Sequence, residues 1–331
     1  MSLEAKQALQ DVNATGAFVR KDSVFRGHVQ EGGEFPPEAG RYILYASYAC
    51  PWASRCLAFR HAKGLSDVIE LAVVSPVFQR TKPEVDDHEG WVFDPLYPGA
   101  TADPMGFRTL RELYDHTIQS HQLSIKSTRF TVPVLYDSKT RKIVNNESSD
   151  IIRMFNDNFN ALARSQVDLS PRDLRDRIDA FNESIYQSVN NGVYKCGFAQ
   201  SQQAYDEAVG PLFSRLDELE GMFASQRYCL AGHLYPTECD VRLFVTIVRF
   251  DEVYVVHFKC DKRCIREYCN LSAWMRDVYQ TLDLGPTVNM MHIKHHYYGS
   301  HHGINKYGIV PLGPGTMLSL AAPHHRNGMT N

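Results

Sequence analysis

The stretch RYILYASYACPWA, residues 41–53, carries a change from strand to helix pattern. Its aromatic and apolar first half, Arg41–Ser47, predicts a strand. Apolar residues then recur at helical spacing from Pro51 to Lys63, and Gly64 ends this predicted helix. The near-continuous apolar run Val68–Val77 is typical of a covered strand. Strand, helix and strand in close succession indicate a βαβ unit.

A long polar segment interrupts the pattern at residues 79–128, where only Phe107–Gln119 is predicted to be helical. Long insertions of this kind in compact domains are often functional or disordered. After the insertion the pattern predicts two strands and a helix, at Phe130–Tyr136, Lys142–Val144 and Glu147–Asn156.

The second half of the chain has long amphipathic stretches and no strand pattern. These stretches cover residues 171–190, 202–224, 238–254 and 262–280. We therefore predict four parts: an N-terminal arm (1–40), an α/β domain (41–160), an all-helical domain (171–290) and an irregular C-terminal tail (291–331).

Composition narrows the class of protein. The chain has 331 residues, 44% of them hydrophobic and 22% charged, as in ordinary globular proteins. Its net charge of -3 and the absence of a basic stripe argue against nucleic acid or an anionic membrane as partner. No apolar run of about 18 residues and no signal-peptide pattern is present. Eight scattered Cys favour a reducing compartment, so we expect a cytoplasmic protein.

Cys50 is the first candidate for chemistry, because it directly precedes the predicted helix and Pro51 suits the first helical position. Unpaired backbone N–H groups and the helix dipole stabilise a thiolate there and lower its pKa. A buried, inert Cys is the alternative, but the position favours a reactive one. Ala53 replaces the second Cys of a dithiol motif, which predicts a single-thiol site, and we assign no role to Cys56.

Two later segments could bind a ligand. Pro133 lies inside a strand pattern, which implies an exposed backbone edge. A cis Val132–Pro133 bond would turn the Val132 backbone toward a peptide-like ligand, but an ordinary edge-strand proline explains the residues equally well. Glu147-Ser148-Ser149 opens the next helix, and its serines are a helix-capping residue type that leaves N–H groups free to receive an anion. The residues alone favour a simple helix cap.

Together these three segments and the helical second half resemble the glutathione transferase superfamily, and more closely its Xi class, the glutathionyl-hydroquinone reductases. The resemblance covers Gly16–Pro314 and implies a glutathione transferase fold, with an α/β thioredoxin-like N-terminal domain and an all-α C-terminal domain. Ser54 departs from the His that the family usually has there. Further matching segments are Ser23-Val24-Phe25-Arg26, Gly192-Val193-Tyr194-Lys195, Arg249-Phe250-Asp251 and the helix-capping pair Thr237 and Asp240.

The resemblance implies a role for each matching position. Cys50 would be the nucleophile, with Tyr194 or Tyr297 as proton donor. Residues implied to bind glutathione are Trp91, Arg129, Val132, Glu147 and Ser148. Residues implied to bind the substrate are Tyr194, Tyr254, Tyr297 and Tyr298. Glutathione would be a co-substrate, with no cofactor, and the protein would be a homodimer.

The tail contains one candidate metal site, because His292, His295 and His296 have the spacing that places imidazoles on one helical face. No Asp, Glu or Cys completes such a cluster locally, so we predict no metal. The function we expect is glutathione-dependent reduction of glutathionyl-hydroquinones through a mixed disulfide of Cys50. The alternatives are an Omega-like thiol transferase or dehydroascorbate reductase, and a non-catalytic binding scaffold of the same fold.

Overall fold

The computed structural model describes residues 4–5, 12–19, 22–125 and 127–329. The chain forms two compact units. Of the described residues, the N-terminal unit contains 4–5, 22–125, 127–167 and 291–300, and the helical unit contains 12–19, 168–290 and 301–329. Among the described residues, no helix is both long and apolar enough to cross a membrane.

All strands lie in the N-terminal half of the described chain. They are β1 (Glu4–Ala5), β2 (Tyr42–Ala46), β3 (Ile69–Val73), β4 (Gln79–Arg80), β5 (Glu89–Gly90), β6 (Ser127–Thr128), β7 (Val134–Asp137) and β8 (Lys142–Asn145). The helices are α1 (Pro51–Ala62), α2 (Leu110–Ser120), α3 (Ser148–Asp157), α4 (Arg175–Ile185), α5 (Gly192–Gly197), α6 (Gln202–Phe223), α7 (Glu238–Ile247), α8 (Val255–His257), α9 (Cys269–Thr281), α10 (Met290–Ser300) and α11 (Thr316–Leu320).

The main sheet has the strand order β3-β2-β7-β8. Strand β2 runs parallel to β3 and antiparallel to β7, so that Leu44 lies opposite both Leu71 and Leu135. All five residues of β2 are buried, as expected for a strand covered on both faces, and α1 packs against β2 and α3. The predicted strand, helix and strand are confirmed, as is the mixed α/β first half followed by helices.

Two predicted strands are shorter than expected. The apolar run Val68–Val77 contains β3 only as far as Val73, and Pro76 follows in irregular chain. The run Phe130–Tyr136 contributes its end alone, because β7 begins at Val134. The Val132–Pro133 bond before β7 is cis. Proline has no N–H to give to a sheet ladder, which explains why neither strand includes its proline.

The predicted N-terminal arm is not a separate part of the fold. Its described residues 12–19 belong to the helical unit, whereas 22–40 belong to the N-terminal unit. The Gly27 N–H donates to Val144 O at 2.8 Å along the edge of β8. A Cβ at Gly27 would lie 2.7 Å from that oxygen, so the close approach requires glycine. Residues 1–3, 6–11 and 20–21 lie outside the described part of the arm.

The helical unit contains the predicted capping box of α7. The Asp240 carboxylate accepts from the Thr237 N–H at 2.9 Å, and the Thr237 side chain caps the first turn. The same carboxylate accepts from the Trp274 indole N–H at 2.9 Å and the Cys229 N–H at 2.9 Å. The box therefore ties the start of α7 to α9 as well as capping the helix.

The prediction of an irregular tail over 291–331 is wrong for two segments. Residues 290–300 form helix α10, of which 291–300 belong to the N-terminal unit. The described remainder belongs to the helical unit and contains α11. Near its end, the buried Arg326 guanidinium donates to Phe223 O at 2.9 Å, at the end of α6, and to Gln226 O at 2.7 Å, three residues beyond that helix. This segment is held by helix α6 because it supplies donors to orphan carbonyls there.

Candidate active site

Cys50 is the residue immediately before helix α1. Its backbone is extended (φ -82°, ψ 118°), and Pro51 begins the helix with a φ suited to that position. The side chain is half-buried, and its sulfur lies 3.4 Å from Val132 O, to which the neutral thiol donates. The structure thus brings together the first two predicted residues, Cys50 and Val132.

The N-terminus of α3 carries the next predicted pair. Here the sequence interpretation needs correction, because the cap is Glu147 and not a serine. The Glu147 carboxylate accepts from the Ser149 N–H at 3.1 Å and from the Ser23 hydroxyl at 3.1 Å. Ser148 is the first helical residue and is almost fully buried. A carboxylate oxygen accepts N–H bonds as a serine hydroxyl does, so Glu147 can take the capping position.

Arg55 was missed by the sequence interpretation. It lies in α1, is almost fully buried, and approaches the Ser148 hydroxyl at 3.4 Å from Nη1. Its guanidinium lies 5.8 Å from the Trp52 ring centroid. A charge inside the apolar pattern of a helix was the available signal, since buried arginines need specific partners. Cys56, the next residue, is fully enclosed, and burial raises the pKa of its thiol well above the ordinary value.

Trp91 lies in the predicted insertion, whose described residues contain β4, β5, α2 and β6. Its carbonyl accepts from the Leu110 N–H at 3.0 Å, at the start of α2. The indole is buried and packs against two rings: Phe78, at an interplanar angle of 83° with centroids 4.6 Å apart, and His296, which is stacked on it, also at 4.6 Å. His296 belongs to α10. Trp91, a predicted glutathione contact, therefore packs against a segment that the sequence analysis assigned to the irregular tail.

Arg129 precedes the cis bond by three residues. It is partly buried, and burial lowers the pKa of its guanidinium from the usual value. Its carbonyl accepts from the Thr131 N–H at 3.0 Å. A guanidinium in a shielded position interacts more strongly with a carboxylate than a solvated one does.

Two of the predicted tyrosines meet in the helical unit. The ring centroids of Tyr194, on α5, and Tyr254 lie 6.3 Å apart, and both rings are buried. Phe258 lies 5.3 Å from each and is stacked on Tyr254. Helix α5 itself was not predicted, because six residues are too few to show a helical period.

The other two tyrosines, Tyr297 and Tyr298, lie on α10 in the N-terminal unit. Both are almost fully buried. The four predicted tyrosines are therefore divided equally between the two units, and one pair belongs to the same unit as Cys50.

The histidines considered for a metal have other partners. His292 donates from Nε2 to Pro98 O at 2.6 Å, and His296 from Nδ1 to Pro76 O at 2.8 Å. His295 pairs through Nδ1 with the Tyr97 hydroxyl. In the part of the chain that the structure describes, no group of three or more His, Cys, Asp or Glu is arranged to hold a metal ion.

Comparison with known proteins identifies the family. The model of the glutathione S-transferase N-terminal domain matches residues 49–158, and that of the C-terminal domain matches residues 202–277. The chain is 45% identical to the glutathionyl-hydroquinone reductase YqjG of Escherichia coli, covering 96% of this chain and 94% of YqjG. A glutathione-bound structure of YqjG has a TM-score of 0.84, with 92% of this chain and 96% of that one covered.

Two further relatives support the same family assignment. The glutathionyl-hydroquinone reductase PcpF of Sphingobium chlorophenolicum is 40% identical, covering 95% of both chains. The crystal structure of the Xi glutathione transferase from Phanerochaete chrysosporium is 49% identical, with a TM-score of 0.83 over 92% of this chain and 95% of that one. With the mixed sheet, the helical second half and the thiol at the start of α1, these likenesses show that the chain belongs to the glutathione transferase family, in its Xi class.

Proposed function

We propose that this protein reduces glutathionyl-hydroquinones with glutathione, and that Cys50 is the nucleophile. The observation that carries the proposal is the position of Cys50: its sulfur lies at the N-terminus of α1 and 3.4 Å from Val132 O. Close relatives named for this activity, YqjG and PcpF, support the choice of reaction.

Glutathione binds beside this thiol in our proposal. The Val132 backbone pairs with the peptide part of glutathione, as an exposed strand edge does with an extended peptide. Glu147 accepts from the ammonium of the γ-glutamyl end, and Ser148 at the start of α3 binds its carboxylate. Arg129 binds the glycyl carboxylate, and Trp91 forms an aromatic wall.

The first chemical step breaks the carbon–sulfur bond of the substrate. The Cys50 thiolate, stabilised at the helix N-terminus, attacks the glutathionyl sulfur. The bonding electron pair passes to the aromatic carbon, which takes a proton from the hydroxyl of Tyr194 or Tyr297. Hydroquinone leaves, and Cys50 is joined to glutathione in a mixed disulfide. Tyr254 and Tyr298 complete the proposed contacts to the substrate ring.

The second step restores the enzyme. A second glutathione thiolate attacks the glutathionyl sulfur of the mixed disulfide, releasing oxidised glutathione and the Cys50 thiolate. The aromatic carbon has been reduced and two glutathione sulfurs oxidised, so the electrons balance without a cofactor. No second protein thiol is needed, in keeping with Ala53 at the fourth position of the motif.

The test uses glutathionyl-menadiol and glutathione with the wild-type protein and Cys50→Ala. We expect the wild type to release menadiol and oxidised glutathione, and Cys50→Ala to release neither above the uncatalysed rate. Mass spectrometry of wild-type protein mixed with substrate alone should detect one glutathione bound to Cys50. Cys269→Ala is the matched control, because Cys269 is exposed and should not contribute.

Other outcomes would point elsewhere. Undiminished release by Cys50→Ala would contradict the nucleophile assignment. If the wild type releases no menadiol but reduces a glutathione mixed disulfide through Cys50, the protein is a thiol transferase. If it binds glutathione and does neither, it is a binding scaffold.

We further propose that the protein acts as a homodimer in the cytoplasm. The family resemblance supports the dimer, and eight free cysteines, five of them buried, suit a reducing compartment. Light scattering coupled to gel filtration would give the oligomeric state directly, and a monomer at all concentrations would contradict the dimer.

A further inference from the structure

Helix α10 presents a polar face to the irregular chain around Trp91. Its polar residues are spaced four apart, which places them on the same side of the helix. Each is hydrogen-bonded to at least one backbone group of the segments before and after Trp91. The pairs are His292 with Pro98 O at 2.6 Å, His296 with Pro76 O at 2.8 Å, and Ser300 with Phe78 N at 3.0 Å. The helix thus satisfies backbone groups that no sheet pairs.

The hydrogen bond to Pro76 O determines which nitrogen of the His296 ring carries a proton. A carbonyl oxygen only accepts, so His296 carries its proton on Nδ1 and donates it. The ring cannot turn about its bond to the helix without losing this contact. Ser300, one turn further on, also lies 3.5 Å from Pro76 O and holds the same loop.

The held ring is stacked on Trp91. The two ring centroids are 4.6 Å apart and the ring planes differ by 25°. Phe78 packs against the indole at 83° and against the His296 ring with centroids 4.9 Å apart, so the three rings form one cluster. Both Trp91 and His296 are 5% exposed, so neither ring is free to swing into solvent.

We propose that His296 is a positioning residue for glutathione binding: its ring, stacked on the indole of Trp91, holds that indole in the orientation that contacts glutathione. This inference rests on the proposed function, in which Trp91 forms a wall of the glutathione site. His296 acts only through Trp91 and takes no part in the chemical steps.

Two variants separate the ring from the hydrogen bond. His296→Asn keeps an N–H donor for Pro76 O and loses the stacked ring. We expect its glutathione Kd, measured by calorimetry, to rise roughly three- to tenfold, the range of one aromatic pair. The kcat at saturating glutathione should stay within about twofold, because the chemistry is untouched. His296→Phe keeps the ring and should hold the Kd within about twofold of the wild type.

Trp91 fluorescence is an independent readout. The Trp91 contribution is the difference between the wild type and Trp91→Leu, since Trp52 and Trp274 remain in both. In His296→Asn we expect this contribution to be more accessible to acrylamide, and in His296→Phe unchanged. The exposed His302 gives the control, His302→Phe, which should alter neither reading. If His296→Asn does not fold, His296→Leu removes the stacked ring in its place.

A double variant tests whether His296 acts through Trp91. In the Trp91→Leu background, His296→Asn should change the glutathione Kd by less than about twofold. A full additional effect there, or an unchanged Kd in folded His296→Asn, overturns the inference. If Trp91→Leu itself leaves the Kd unchanged, the glutathione role of Trp91 in the proposed function is wrong, whereas the acrylamide reading still decides whether His296 holds the indole.

Discussion

At the scale of single residues, buried polar groups are defined by their partners. His257 is an example, because its Nε2 lies 3.0 Å from Nδ1 of His301 and both rings are buried. Burial lowers the pKa of His257 to about 4, and the nearby Lys259 adds to the effect. One proton between the two rings forms a hydrogen bond, whereas a fully protonated pair would place two donors face to face.

This arrangement predicts a loss of stability in mild acid. Unfolded histidine titrates near pH 6.5, so between that pH and about 4 the unfolded chain binds a proton that the folded His257 does not. The free energy of unfolding should therefore fall by about 2 kcal/mol from pH 7 to pH 5 on this account. His257→Phe should lose less than the wild type over that interval, measured by urea denaturation. His302→Phe, at an exposed position, should keep the wild-type dependence, and an unchanged slope in His257→Phe would contradict the prediction.

At the scale of elements, close packing joins helix α5 to the residues after α8. Gly197 ends α5, and a Cβ there would lie 2.1 Å from Phe258 Cδ1. Phe258 is fully buried and is stacked on Tyr254 at 5.3 Å. The glycine therefore allows the aromatic cluster around Tyr194 to close.

Gly197→Ala should displace Phe258 and lower the free energy of unfolding by roughly 1–3 kcal/mol, as overpacking does. Because Phe258 contacts both proposed substrate tyrosines of the helical unit, the KM for glutathionyl-menadiol should also rise. Gly221→Ala is the control: it lies in α6 with no atom near its Cβ position and should stabilise by about 0.5–1 kcal/mol. Urea denaturation of both variants measures the change in the free energy of unfolding, and steady-state kinetics measures the change in KM. Equal stability of the two would show that Phe258 yields without cost.

The elements also show how far the sequence could be interpreted. Strand β2 was predicted from its aromatic and apolar residues and helix α1 from the spacing of its apolar residues, and the position of Cys50 follows from these two elements. The serine cap of α3 was wrong because Glu147 is equally able to accept from the first turn. The spacing of the histidines in α10 is compatible with two roles: binding a metal ion, or hydrogen bonding from one face of the helix to a neighbouring loop. Only contact with Pro76 and Pro98, about two hundred residues away in sequence, distinguishes these. Arg55 likewise depends on a distant partner, Ser148.

At the scale of the whole molecule, each of the two units includes a short segment from the opposite end of the chain. Residues 12–19 join the helical unit, and Phe18 lies 5.6 Å from Phe198 there. Residues 291–300 join the N-terminal unit, and the chain then returns to the helical unit. The predicted boundary between arm and α/β domain and the one between helical domain and tail do not match the two units. Composition could not show this, because membership of a unit depends on contacts between distant parts of the chain.

The returning C-terminal segment should contribute to global stability. Arg326 donates to Phe223 O, Gln226 O and Arg227 O at 2.9, 2.7 and 3.0 Å. Removing these donors takes a hydrogen-bond partner from one buried carbonyl, Phe223 O, and from two partly buried ones, so Arg326→Ala should lower the free energy of unfolding by about 2–3 kcal/mol. Thermal and urea denaturation measure this. Lys306→Ala, an exposed change in the same segment, should have almost no effect, and equal losses in both variants would contradict the prediction.

The placement of α10 has a consequence for recombining relatives of this chain. A chimera joined between residues 167 and 168 would take the loop around Trp91 from one parent and the helix that binds it from the other. The two would have been selected in different proteins, so their hydrogen bonds and stacked rings would have to match by chance. A chimera that carries residues 291–300 together with the first 167 preserves that pairing. A chimera of two relatives should therefore not be divided at a single point between the first and second halves of the chain.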